Sequence, residues 1–361
     1  MTIDDDALAG AGVVVPAGPG GRGAFDLQVD YLGLELRCPV VASASPLTGT
    51  MASLEALDAA GVGAVVLPSV FEEQLEHEMR EVDRYLGLGA DVNPEATFGY
   101  APVLDRHNDG SERYLDLVKT ASAALDVPVI ASINGSTPGG WIDWTRMLVD
   151  AGASAIELNV YQVAADMRKT GADIERQTLD VVASVVDVCD VPVAVKVAPY
   201  WSSFSHFATQ LVDAGAAGLV LFNRFFQPDI DLDSLAVERR LTLSNPEEKG
   251  LPLLWTAILR GRVEASLAAT TGIHQSTDAL KLLLAGADVV MTTSALLHHG
   301  PSHVTTLVDG ITLWATEREY ASVRQLTGSV SQASVADPAA FERANYLEAL
   351  TRFASSFPSA S

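Results

Sequence analysis

One phrase recurs four times in this chain: an amphipathic helical stretch that ends in Ala-Gly and leads at once into a short apolar run. It is read at Ala60-Gly61 before Ala64 to Leu67, at Ala151-Gly152 before Ala155 to Leu158, at Ala214-Gly215 before Gly218 to Phe222, and at Ala285-Gly286 before Asp288 to Met291. Glycine caps a helix because it adopts the left-handed conformation without a Cβ penalty, and an apolar run directly after it reads as a strand buried on both faces. The capping glycines lie 91, 63 and 71 residues apart, too long for one strand-helix unit and right for two. A second set interleaves: Pro39 before Val40 to Ala44, Pro128 before Val129 to Ile133, Pro192 before Val193 to Val197, and Ser266 to Thr270 without a proline. Proline suits the first residue of a strand, where its missing N–H is not needed by the ladder.

Eight strands therefore alternate with helices at Ser53 to Ala60, Ser111 to Leu125, Trp141 to Ala151, Ile174 to Val188, Phe204 to Ala214, Leu251 to Leu259, Thr277 to Ala285 and Val304 to Thr316. Eight βα units predict an α/β fold of the closed (β/α)8 TIM barrel type; a doubly wound open sheet with a second domain is the competitor, but its strand order needs no count of eight. The 361 residues suit one domain from residue 25 to 361, preceded by a Gly-, Ala- and Pro-rich tail over residues 1–24. Two connections are long: Ser69 to Gly110 after strand two, and Asn223 to Gly250 after strand six. Phe71, Leu75, Met79, Val82 and Leu86 fall at helical spacing and predict an inserted helix after strand two. Asp337, Pro338, Phe341, Tyr346, Leu347 and Leu350 predict a C-terminal helix.

Charge and composition exclude several functions. Asp and Glu outnumber Lys and Arg by 46 to 23, for a net charge of -23, so the field repels phosphate backbones and anionic membranes. Neither nucleic acid nor a membrane is an expected partner. Only Cys38 and Cys189 occur, too few for an iron–sulfur cluster or a disulfide scaffold, and the acidic start is unlike a signal peptide. A cytoplasmic location is expected. His298, His299 and His303 lack nearby carboxylates in sequence and read as surface residues, so no metal site is expected.

In a barrel, polar residues at the carboxyl ends of strands point into the site. They are Ser43 and Ser45, Ser69, Asn134, Asn159, Lys196, Asn223, Thr270 to Gly272, and Thr292 to Ser294. Lys196 is one of five lysines and stands among apolar neighbours, so it needs either a ligand or a carboxylate such as Glu157. The loops after strands seven and eight commonly cradle a phosphate, and Gly272 and Ser294 would let the backbone approach one closely. A phosphate at one end, amides along the strand ends and a cation in the middle suit flavin mononucleotide (FMN), whose reduced anionic ring a cation stabilises.

These residues resemble the class 1 dihydroorotate dehydrogenases, flavin-containing barrels that oxidise dihydroorotate to orotate, over roughly residues 26 to 310. The resemblance is carried by Asp30-Tyr31-Leu32-Gly33-Leu34, Cys38 to Ser45, Glu157-Leu158-Asn159, Val195 to Tyr200, Phe222-Asn223, Thr271-Gly272-Ile273 and Thr293-Ser294-Ala295-Leu296. It implies that Ser43, Ala44 and Ser45 face the flavin, that Asn159 and Lys196 bind its ring and that Gly272, Thr293 and Ser294 hold its phosphate; the strand-end residues Ser69 and Asn134 are further candidate cofactor contacts, and Asn134, Asn159 and Asn223 are candidates to hold the substrate over the flavin. It also implies a homodimer and a small-molecule substrate. A soluble electron acceptor follows, because the N-terminal helices by which class 2 enzymes reach membrane quinone have no counterpart.

The departures fall on the substrate side. Pro68-Ser69 stands where the family has Lys-Ser, and Val160-Tyr161-Gln162-Val163-Ala164 where it has Leu-Ser-Cys-Pro-Asn, the cysteine being the base. Asn223 is kept but is followed by Arg224, which implies an anionic substrate because a guanidinium forks onto carboxylate or phosphate. Tyr161 is the candidate replacement base. A phenol with its ordinary pKa of ~10 needs a nearby cation for that work, Lys196 or Arg224, and packing as a loop aromatic is its bland alternative. The expectation is an FMN-dependent oxidoreductase of pyrimidine metabolism acting on a CH–CH donor, with a flavin-binding electron-transfer or regulatory protein as the alternative.

Overall fold

Continuous apolar runs become strands here because both of their faces are covered, by helices outside and by side chains filling the barrel inside. The computed structural model describes residues 25–71, 109–135, 141–224, 227–238 and 242–341. Among them the strands are, in chain order, β1 (Val29–Tyr31), β2 (Leu34–Leu36), β3 (Val40–Ala42), β4 (Ala64–Val66), β5 (Val70–Phe71), β6 (Val129–Asn134), β7 (Ala155–Asn159), β8 (Val193–Val197), β9 (Gly218–Leu221), β10 (Asp229–Asp231), β11 (Ala236–Glu238), β12 (Ser266–Thr270) and β13 (Val289–Thr292). Eight of these, β3, β4, β6, β7, β8, β9, β12 and β13, pair in parallel around a ring that the β4–β6 ladder closes. The barrel is therefore closed, and the open-sheet alternative falls away. β5 adds a short ninth strand beside β6.

The helices follow the predicted phrases to within a few residues: Met51–Ala59, Asp109–Ala124, Trp141–Asp150, Gly171–Val186, Phe204–Asp213, Gly250–Leu259, Ser276–Ala285 and His303–Glu317. Thr50 and Thr170 cap two of them by accepting the N3 backbone N–H. Gly61, Gly152, Gly215 and Gly286, the glycines of the repeat, all have positive φ. At Gly215 the conformation is required twice over: φ is +99°, and a Cβ would stand 2.7 Å from Cγ1 of Val186.

The amino end of the barrel is stopped by the β1–β2 hairpin. Tyr31 at its turn is fully buried, and the Leu32 N–H donates to Ser266 Oγ at the start of β12. The opposite end carries the long loops. The loop after β9 contains an antiparallel hairpin, β10–β11, that periodicity did not anticipate; it pairs Ile230 with Val237 and leaves every residue of both strands exposed. Six-residue helix Ser294–His299 also precedes the predicted eighth helix. Residues 1–24, the candidate inserted helix beyond Phe71 and most of the candidate C-terminal helix lie outside the described residues; Pro338–Phe341 form a 3-10 turn that Asp337 caps by accepting the Ala339 N–H. No helix among the described residues is long and apolar enough to cross a membrane.

Gly215→Ala forces a left-handed residue against Val186, so the chain should lose about 1–3 kcal/mol of unfolding free energy, read by urea denaturation. An unchanged midpoint would show that the cap is not strained.

Candidate active site

The register of three adjacent strands assembles the polar interior. Ser132 on β6 stands opposite Glu157 on β7, and one layer higher Asn134 stands opposite Asn159, which stands opposite Lys196 on β8. Because side chains alternate with period two, these residues share the inward face with their strand partners. Glu157 is fully buried and Lys196 nearly so. The Lys196 ammonium donates to Glu157 Oε1 at 3.5 Å, and the Ser132 hydroxyl donates to the same oxygen at 3.4 Å. With that proton committed, Ser69 donates to Ser132 across 2.7 Å. Glu157 Oε2 is buried with no hydrogen-bond partner among the described residues. Higher in the mouth, Asn223 Nδ2 donates to Asn159 Oδ1 at 2.6 Å.

A cavity of about 240 Å³ opens at this end, and Ser43, Ala44, Ser45, Lys196, Asn223, Arg224, Gly272, Thr293 and Ser294 line it. With Thr270, Thr271 and Thr292, which line it too, twelve residues singled out in the sequence thus meet at one place. Ser69, between β4 and β5, Asn134 on β6 and Asn159 on β7 do not line this cavity. Tyr161 is half-buried in the loop after β7 and does not line this cavity. A second cavity of about 240 Å³ shares Phe222, Asn223, Arg224 and Thr271 with the first and is closed by Pro199, Tyr200, Gln227 and Glu248.

The long loop after β9 supplies what sequence reasoning missed. Thr242, Leu243 and Ser244 line the first cavity. Arg224 holds this segment: its guanidinium donates to both oxygens of Glu248, each at 3.1 Å, and to the Thr242 carbonyl. Lys249 completes the attachment through Asp278 at 3.0 Å. Gly272, with φ +76°, lets this segment approach: a Cβ there would lie 2.4 Å from the Lys249 backbone nitrogen. The Cβ side of this glycine is therefore taken by protein backbone, while the residue itself lines the first cavity. The only sequence signal for the segment was the length of the connection.

Electrostatics narrows the chemistry. Both cations proposed to assist Tyr161 already carry carboxylates, Glu157 on Lys196 and Glu248 on Arg224. Burial pushes the Cys38 thiol up to about 11, and burial with Asp190 nearby pushes Cys189 to about 11, so neither is a thiolate at neutral pH. Gln162, where the resembling family has its basic cysteine, has its Nε2 buried with no partner among the described residues. His298 and His299 are exposed as expected, whereas His303 is half-buried with Nε2 at 2.8 Å from the His274 carbonyl. No cluster of metal-ligating side chains occurs among the described residues.

The family model for dihydroorotate dehydrogenase matches residues 26–313. The chain belongs to the dihydroorotate dehydrogenase family. Relatives include the dihydroorotate dehydrogenase B (NAD(+)) catalytic subunits of Methanothermobacter thermautotrophicus and Pyrococcus abyssi, each 26% identical over 84% of this chain and 98% of that protein. A putative dihydroorotate dehydrogenase A (fumarate) of Aeropyrum pernix is 26% identical over 85% of this chain and 98% of its own length. Family membership makes this chain a dihydroorotate dehydrogenase-like oxidoreductase, and the closed eight-stranded barrel is that family's fold.

Two outcomes test the site's electrostatics. Lys196→Met strands a buried carboxylate and should cost about 3–5 kcal/mol in urea denaturation, while the double variant Lys196→Met, Glu157→Leu should recover most of that loss. An additive double variant would show that the two charges do not interact. Burial also holds the His274 imidazole below its ordinary range. The unfolded chain then binds the extra proton first, so stability falls as pH drops below about 6.5 toward the lowered folded value. His274→Gln lacks this component and should lose less stability between pH 7.5 and 5.5.

Proposed function

We propose that the chain is an FMN-dependent oxidoreductase that removes hydride from a CH–CH donor, a small anionic substrate of pyrimidine metabolism, and passes the electrons to a soluble acceptor. The observation that carries this is the polar set lining one cavity: the hydroxyls of Thr293, Ser294, Ser43 and Ser45 together with the Lys196 ammonium. That set fits a phosphate-bearing ring whose reduced, anionic form a cation stabilises. Bound FMN supplies a hydride acceptor. In this reading Ser294, Thr293 and Gly272 hold the phosphate, and Asn134, Asn159 and Ser69 support the ring side. Lys196 keeps a positive charge beside the ring, and Glu157 keeps that ammonium in place.

The substrate side is rebuilt relative to the resembling family. Asn223 and Arg224 border both cavities and are the residues that orient a carboxylate-bearing substrate; Glu248 is the anion such a substrate would compete with for the guanidinium. The buried Gln162 amide offers a hydrogen-bond donor in place of a base. Tyr161 lines neither cavity and its two candidate cations are paired with Glu157 and Glu248, so it would take the substrate proton only from a substrate that reaches the loop after β7.

A homodimer belongs to the same reading, and the β10–β11 hairpin supports it. Ile230 and Val237 pair on one face, with Asp229, Asp231 and Glu238 on the other, and Leu232 and Leu235 stand in the connecting turn; the four apolar side chains are 62–82% exposed. An amphipathic two-stranded ribbon with an open apolar face gains most by burying that face. Leu235→Asp should shift the chain toward monomer in sedimentation; an unchanged oligomer would remove the hairpin from the interface.

Two measurements decide the activity. Purified protein should bind FMN with the absorption of an oxidised flavin, and anaerobic dihydroorotate should bleach it; a flavin that neither dihydroorotate nor related reduced pyrimidines bleach would end the pyrimidine assignment. Tyr161→Phe should slow that reduction by ~10²-fold or more with FMN still bound, and an unchanged rate would return Tyr161 to packing.

A further inference from the structure

One end of the first cavity is built on three side chains from three different loops. Ser294 Oγ accepts two hydrogen bonds from Ser244, one from the backbone N–H at 3.0 Å and one from the hydroxyl at 2.9 Å. A hydroxyl has two acceptor positions and one proton. Both acceptor positions of Ser294 are therefore filled, and its own proton has to be given away; the side the hydroxyl keeps open is the cavity it lines. The Ser244 proton is committed to Ser294, so Ser244 meets His274 Nε2, 3.3 Å away, as an acceptor. Nε2 must then carry a proton. The chain has one direction, from His274 through Ser244 and Ser294 into the cavity.

The groups around His274 leave that direction intact. Asp278 takes the backbone N–H of His274 on one oxygen and Lys249 on the other, so it does not claim the ring through those bonds. The Ser244 backbone also hydrogen-bonds the ring in the sense that favours its protonated, donating form, His303 bonds the His274 carbonyl, and His298 and His299 add only like charge as they protonate. Protonation of His274 itself places a second proton on the ring and keeps Nε2 a donor.

We propose that His274 is a positioning residue that, through Ser244, holds Ser294 as an obligate donor, making this end of the cavity selective for an acceptor-only phosphate monoester over the same ligand ending in a hydroxyl. The identity of the rest of the ligand rests on the flavin reading above; the selectivity itself does not. Bonds to an ionised acceptor are about twice as strong as neutral ones, so breaking the chain should weaken the phosphate-bearing ligand selectively.

The experiment measures the Kd of FMN and of riboflavin, and the thermal stabilisation by inorganic phosphate, for wild type, Ser244→Ala, His274→Leu and His274→Gln. The expected result is an FMN-over-riboflavin preference reduced about tenfold in Ser244→Ala and His274→Leu, with riboflavin affinity unchanged. His274→Gln, which keeps an N–H at the same reach, should restore most of the preference. Equal weakening of both flavins, or a preference untouched by His274→Leu, overturns the proposal. If wild type binds neither flavin, the flavin reading fails by itself. Phosphate stabilisation lost in His274→Leu and kept in His274→Gln then supports the chain, and stabilisation that is absent in wild type or unaffected by His274→Leu overturns it.

Discussion

The site depends on the two residue pairs that close the ring, Val65 with Val129 and Val66 with Ile130. A parallel sheet left open would expose unpaired N–H and C=O groups at its edges; closure gives each barrel strand two neighbours and brings eight carboxyl ends to one mouth. Only then do Lys196 on β8, Asn223 after β9 and Ser294 after β13 face one cavity. The apolar runs provide the driving force, since full burial of one Val, Ile or Leu side chain stabilises by about 1.5–3 kcal/mol. Val193, Val195 and Val197 are buried in this way on β8.

The same strand carries the main exception. An ammonium and a carboxylate inside a barrel lose their hydration, and the Coulomb attraction between them repays this only when further hydrogen bonds share the charge. Ser132 shares it on one oxygen of Glu157, while the second oxygen has no partner among the described residues. An apolar trio in these places would pack at least as well. Under the proposed flavin reading a cation at the rim of the cavity has a use that packing does not give it.

The loop after β9 then converts a generic mouth into a particular one. Arg224 to Glu248 and Thr242, Lys249 to Asp278, and Ser244 to Ser294 and His274 tie a single segment to three neighbouring strand ends. The guanidinium that looked like a substrate anchor in the sequence is also the fastener of this segment. Its partner, Glu248, lies 24 residues away in a stretch with no periodicity, and no spacing rule links the two.

Periodicity and punctuation in the sequence determined the barrel. Ala-Gly caps, prolines before strands and apolar runs of strand length are local signals, set by backbone sterics and by burial on both faces, and they located all eight strands and the ends where polar residues collect. The cavity-lining residues at the strand ends were legible for the same reason, since a strand's carboxyl end is known once the strand is known. Ser132, Ser244, Glu248 and the His274 chain were not, because what makes them part of the site is a partner on another element. Hydrogen-bond direction and ion pairing depend on distances of about 3 Å between residues up to 64 positions apart, and only closure of the barrel, with the β9 loop laid across its mouth, decided them.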